Sequence, residues 1–111
     1  MFLKHTILAG AVTLASLMPA AAETVKVGVI GPFSGPFSGS FGEPFRQGVE
    51  TYVAMNGQPG DGIEVEFIWR DLQKPDPGQA RALAQELVAK DGVQYLAGFV
   101  FTPNAIAAAG I

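Results

Sequence analysis

The chain has 111 residues, with seven Lys and Arg, ten Asp and Glu, one His, no Cys and a net charge of −3. The absence of cysteine excludes disulfides, a thiol nucleophile and a Cys-based zinc site. An acidic chain without a basic cluster is poorly suited to nucleic acid.

Residues 1–22 read as a cleavable secretory signal peptide. Lys4 supplies the positive start, residues 7–18 are apolar and uncharged, Pro19 breaks the run, and Ala20-Ala21-Ala22 offers the small residues a signal peptidase needs. The apolar run is shorter than the roughly 20 residues that cross a bilayer. Cleavage after Ala22 removes Lys4 and His5, leaving six basic residues against ten acidic ones. The remainder, roughly 90 residues, suffices for one small domain. It holds neither imidazole nor thiol, which excludes a Ser-His-Asp triad and any His or Cys zinc site. No cysteine follows the leader to carry a lipid, so the expected product diffuses freely.

Residues 24–30 (Thr-Val-Lys-Val-Gly-Val-Ile) predict a strand, apolar on both faces and therefore central in a parallel sheet. Residues 31–42 form a Gly-Pro-Phe-Ser-rich loop. Residues 43–56 predict a helix, with Pro44 in its first turn and Phe45, Val49, Tyr52 and Val53 on one face. Gly48 within it is tolerable if the helix packs closely on the sheet. Residues 63–69 predict a second strand, with Ile63, Val65, Phe67 and Trp69 on one face and two glutamates on the other, as suits a strand nearer an edge. After a loop over 70–78, Asp76 is placed as an N-cap and Pro77 at the first helical position. The helix expected over 78–90 carries a stripe of Ala80, Leu83, Ala84, Leu87 and Val88. Residues 93–100 predict a third strand, and 105–111 the start of a third helix.

The order is β-α-β-α-β-α, so the expected fold is an α/β three-layer sandwich on a parallel sheet with right-handed crossovers. Ligands in such sheets sit beyond the carboxyl ends of the strands. The loops 31–42, 70–78 and 101–104 all occupy that rim. The first loop is no phosphate cradle, because it lacks Gly-x-Gly-x-x-Gly directly after the strand, lacks Gly-Lys-Ser/Thr, and loses amide donors at Pro32 and Pro36. Its hydroxyls, Ser34, Ser38 and Ser40, and its three phenylalanines suit a small carboxylated ligand. Phe33 and Phe37 fit core packing equally well. Asp71 is expected to pair with Arg70 or to hold its loop, Arg70 to serve at the surface, and Asn104 to cap a helix. For Thr102, ligand contact and capping both fit.

The motifs Val-Lys-Val-Gly-Val-Ile-Gly-Pro-Phe-Ser-Gly-Pro, Arg70-Asp71-Leu72-Gln73, Asp76-Pro77, Ala84-Gln85-Glu86-Leu87-Val88 and Leu96-Ala97-Gly98 stand in this order after the leader. Together they closely resemble the N-terminal lobe of the periplasmic substrate-binding proteins of branched-chain amino acid type ABC transporters, which have the leucine-binding-protein-like type I periplasmic binding fold. The resemblance implies a two-lobed receptor that closes on an amino acid, a short amide or an aromatic acid. Such a receptor hands its ligand to a membrane permease, with no catalysis and no cofactor. It places Phe41 where the family's first loop supplies a ring, and Phe101 and Thr102 where the third loop meets the ligand's carboxylate. Ser38 is carried over as well. The family often has tyrosine at the Phe41 position and a Ser/Thr-rich stretch at 101–104. These departures shift the expected ligand toward an aromatic or apolar carboxylate. Residues 23–111 are then an incomplete N-terminal lobe, with the second lobe absent. The competing readings are a ligand-sensing domain of a signalling receptor with the same fold, and a secreted α/β enzyme, which the lack of His, Cys and paired carboxylates disfavours.

Overall fold

A computed structural model describes residues 22–58, 60 and 62–111. The leader expected over 1–22 lies, apart from Ala22, outside the described residues. Three parallel strands, β1 (Glu23–Gly31), β2 (Ile63–Asp71) and β3 (Tyr95–Gly98), form a sheet in the order β2-β1-β3. The apolar β1 is central, as its two-faced sequence predicts. The glutamate-bearing β2 lies at the outside of the described sheet. The helices are α1 (Glu43–Asn56), α2 (Pro77–Glu86) and α3 (Thr102–Ala108). This is the expected α/β architecture.

Paired residues in parallel strands share a face. The register sets Val25, Val27 and Val29 beside Val65, Phe67 and Trp69, and on the other face Gly28 and Ile30 beside Ile68 and Arg70. The second face is the well-packed one. Ile30, Leu72, Ala80, Ala84, Leu87, Val93 and Ala108 form a continuous buried cluster there. Gly28 makes room for it, since a Cβ at that position would lie 2.9 Å from Leu87 Cδ1. Arg70 pairs with Asp91 at 2.9 Å and so ties the end of the α2 segment to the sheet.

Among the described helices, α1 is the one over the first face, and Phe33 of the first loop packs there on Trp69. The helix has the predicted bounds and Pro44 in its first turn, but none of its residues is buried, and Tyr52 is 61% exposed. An apolar groove of about 500 Å³ separates Phe45, Val49 and Val53 from Val65 and Phe67. The condition under which Gly48 would be tolerable, close packing of the helix on the sheet, is not met there, because nothing lies within 4 Å of a Cβ built at that position.

Other boundaries also moved. The first loop ends in a π-helical turn, Ser38–Gly42, that feeds directly into α1. The helix expected over 78–90 runs as α2 only to Glu86 and finishes in a second π turn, Leu87–Asp91, which leaves Val88 39% exposed. The strand expected over 93–100 is only four residues long: at its start the Val93 amide closes the π turn on the Leu87 carbonyl at 3.2 Å, and at its end Phe99 and Val100 leave extended geometry with φ of 71° and 55°. The third helix starts three residues earlier than expected, at Thr102, and Pro103 sits in its first turn.

Candidate functional site

The three loops meet at the carboxyl end of the sheet, where parallel α/β sheets hold their ligands. Side chains bond them to one another. Asp71, at the end of β2, accepts from the amides of Phe33 at 2.9 Å and Ser34 at 3.1 Å, and from the Ser34 hydroxyl. Gln73 Nε2 donates to the same hydroxyl oxygen at 2.7 Å. Partial burial opposes ionisation of Asp71. The donors at Ser34, Phe33 and Gln73 outweigh it and hold the carboxyl below its ordinary value. Asp71 therefore holds the first loop, one of its two expected roles, while Arg70 turns to Asp91.

Asn104 ties the second loop to α3. Its side chain is buried; Oδ1 accepts from the Asp76 amide at 2.8 Å and Nδ2 donates to the Lys74 carbonyl at 3.2 Å. The expectation that Asn104 caps a helix is corrected, for α3 has no side-chain cap and the amide group reaches across to a neighbouring loop. Asp76 does cap α2, accepting from Gln79 N at 3.0 Å, with Pro77 at the helix start.

The third link is aromatic. The rings of Phe37 and Phe101 lie 5.2 Å apart at 76°, an edge-to-face pair between the first and third loops. Phe33 packs instead on Trp69, centroids 5.2 Å apart and nearly perpendicular.

The expected site residues fall on two supports. Ser38 and Phe41 belong to the π turn before α1; Phe101 immediately precedes α3 and Thr102 opens it. Phe41 is 48% exposed, and Thr102 is also exposed. Ser38 donates its hydroxyl proton to the Gly35 carbonyl at 2.8 Å, so its oxygen remains as an acceptor. Between the supports lies a recess of about 80 Å³, walled by Pro32, Phe33, Gly42, Phe45, Gly98 and Val100, among others. None of the four residues lines it; they flank it. Its floor depends on a backbone contact, since a Cβ at Gly42 would sit 1.9 Å from the Pro32 carbonyl oxygen. Positive φ at a β-branched residue costs about 1–3 kcal/mol. Val100 is such a residue, on the recess wall. Among the described residues, no three His, Cys, Asp or Glu side chains gather as metal ligands, and no helix is long and apolar enough to cross a membrane.

Residues 24–111 match the family profile described as "Periplasmic binding protein". The chain belongs to the periplasmic binding protein family. It is 53% identical over 88 residues to the Leu/Ile/Val-binding protein homolog 6 of Brucella abortus (strain 2308), an alignment that covers 79% of this chain and 22% of that protein. It is similar to the solute binding protein of an ABC transporter from R. palustris, solved in complex with 4-hydroxybenzoate, with a TM-score of 0.74 and 51% identity over 79% of this chain and 24% of that one. A second such protein, from Rhodopseudomonas palustris HaA2 in complex with p-hydroxybenzoic acid, gives a TM-score of 0.72 and 52% identity over 78% of this chain and 23% of that one. The chain thus spans under a quarter of the length of each periplasmic binding protein it is compared with here.

Ser34, Phe37 and Asn104 are rim residues whose roles sequence reasoning missed; the Ser34 hydroxyl, offered for a ligand, is engaged by Asp71 and Gln73. The hydroxyl and ring content of the first loop signals a surface for a ligand, but no local spacing shows that Phe37 meets Phe101. Asn104 has helix-start neighbours, Thr102 and Pro103, that favour a capping role, and its true partners depend on how α3 docks.

Proposed function

We propose that residues 23–111 form the first lobe of a periplasmic solute receptor that captures a small aromatic or apolar carboxylate and delivers it to an ABC transporter permease. The leader over 1–22 exports it. The observation that carries this reading is the rim itself. Two loops set Phe41, Phe101 and Thr102 beside an apolar recess, Phe41 and Thr102 exposed and Phe101 partly buried against Phe37, and side chains cross-link the loops. Apolar walls with a few placed polar groups suit a ligand that is flat, uncharged over most of its surface and carboxylated at one end. In this reading Phe41 and Phe101 cover the ring or chain of the ligand. Thr102 donates to its carboxylate, and Ser38 supplies an acceptor for a ligand hydroxyl or amine. The receptor binds and releases its ligand unchanged, without a cofactor.

The likeness to two proteins solved with hydroxybenzoates supports an aromatic acid, and the name of the Brucella relative supports a branched aliphatic amino acid. The two phenylalanines of the rim favour the former. The test is calorimetric titration of residues 23–111 joined to the remainder of the R. palustris protein, with 4-hydroxybenzoate and with leucine. Saturable binding of 4-hydroxybenzoate is expected. Tight binding of leucine alone contradicts the ligand class.

A further inference from the structure

The Phe37–Phe101 pair joins two residues in the same structural position. Phe37 stands immediately before the π turn that carries Ser38 and Phe41, and its carbonyl accepts from Phe41 N at 3.0 Å. Phe101 stands immediately before α3, and its carbonyl accepts from the amides of Asn104 at 3.0 Å and Ala105 at 3.3 Å. Each ring is therefore mounted on a backbone already committed to a helical turn. Phe101 is held from the other side as well. Its amide donates to the Phe99 carbonyl across Val100, in a tight turn built from two consecutive left-handed residues.

The Phe99 amide ties the start of this turn to the Ile30 carbonyl of β1; beyond that bond the turn depends on what it packs against. Phe99 is partly buried against the core, but Val100 is 43% exposed. Among the described residues, the Phe101 ring meets one aromatic neighbour, Phe37, itself 38% exposed. No polar side chain of the first loop bonds to the third. Asp71 and Asn104 each tie a different pair of loops. The ring contact is thus the direct side-chain tie between the two supports of the site.

We propose that Phe37 is a positioning residue: its ring fixes the Phe101 ring, and with it the spacing of the two ligand-bearing supports, in the arrangement an aromatic carboxylate requires. The inference rests on the reading that Phe101 meets the ligand, and adds a residue that shapes specificity without needing to touch the ligand. An edge-to-face pair of this kind corresponds to about a two- to tenfold change in an equilibrium constant. Phe37→Leu keeps the apolar volume and removes the ring.

The experiment has two readouts. In the 111-residue chain labelled with 4-fluorophenylalanine, the Phe101 fluorine signal, identified by its loss in Phe101→Leu, moves in Phe37→Leu and returns toward its original position in Phe37→Tyr. In the joined receptor, Phe37→Leu weakens 4-hydroxybenzoate binding about five- to tenfold, and Phe37→Tyr restores it. The double variant Phe37→Leu/Phe101→Leu binds no more weakly than Phe101→Leu alone. An unmoved fluorine signal overturns the proposal. So does a Phe37→Leu loss that persists in full when Phe101 is already leucine, because Phe37 then acts independently of Phe101. If the unsubstituted joined receptor binds no aromatic acid, the functional reading fails, and the fluorine signal still reports whether the Phe37 and Phe101 rings are in contact.

Discussion

Asp71 grips Ser34 twice, through the backbone amide at 3.1 Å and through the hydroxyl. The two residues lie far apart in sequence, one closing β2 and the other early in the first loop. This pair of hydrogen bonds anchors the loop that leads to the π turn.

The carboxyl of Asp71 titrates below its ordinary value in the folded chain because the donors at Ser34, Phe33 and Gln73 outweigh the effect of burial. A carboxyl whose folded value is depressed stabilises the fold above its unfolded value, about 3.9, and that contribution disappears as pH falls through the folded value. At pH 7, Asp71→Asn is expected to lower stability by about 1 kcal/mol, a modest figure because the group is solvent-exposed. Urea midpoints measured at pH 7 and pH 3 check this. The gap between parent and variant should narrow in acid; a gap that widens contradicts the assignment.

Asn104 is buried with both ends of its amide used. Asn104→Ala strands the Asp76 amide and the Lys74 carbonyl, at a cost of about 1–3 kcal/mol. Asn104→Asp is expected to be worse at pH 7, where a buried carboxylate faces the Lys74 carbonyl. It should recover partly below pH 4, where the protonated acid can donate to that carbonyl. Thermal melts of the two variants at both pH values distinguish this from a simple loss of packing, which would not recover in acid.

Two glycines of the first crossover have opposite expectations. Gly42→Ala drives a methyl into the Pro32 carbonyl, with 1.9 Å between the atoms before any shift. Because the obstacle is backbone, the expected loss is about 3 kcal/mol, the upper end for overpacking. Gly48→Ala meets nothing within 4 Å on an exposed helical face, so helix propensity decides the sign and the chain gains about 1 kcal/mol. Denaturant midpoints of the two variants settle both signs.

Thr102 opens α3 beside Phe101, its side chain exposed and α3 without a side-chain cap. If it donates to the ligand carboxylate, Thr102→Val lowers affinity of the joined receptor about tenfold for 4-hydroxybenzoate. This matches a charge-assisted hydrogen bond of about 1.5 kcal/mol. Stability should stay within about 0.5 kcal/mol. A fall in stability with unchanged affinity would assign Thr102 to α3 alone.

The sequence carries the fold clearly because its signals are local. Alternating Val65, Phe67 and Trp69, the Asp76-Pro77 helix start and the two-faced β1 each report their own segment. The faults fall where one segment's conformation is set by another. The third strand reads as eight residues by composition, since Phe99 and Val100 are good strand formers. The structure instead turns at Phe99, where its amide meets the Ile30 carbonyl of β1. The periodicity of α1 is faithful, yet it predicts deeper burial than one helix over that face delivers. At the site, chain order and topology bring the first and third loops to one rim, whereas Phe41 and Phe101 are singled out on it by the family resemblance. The cross-links through Ser34, Asn104 and Phe37 are not, because each joins residues that only the strand register brings together.

The most direct test compares the affinity of 4-hydroxybenzoate for residues 23–111 alone and for the same residues joined to a second lobe. A micromolar complex corresponds to about −8.2 kcal/mol, and half of that, about −4.1, to a millimolar one. Micromolar binding by the joined receptor and millimolar or weaker binding by the single lobe are expected. Micromolar binding by residues 23–111 alone would contradict the reading of these residues as one lobe of a two-lobed receptor. No binding by a folded joined receptor would contradict the proposed solute-receptor function itself.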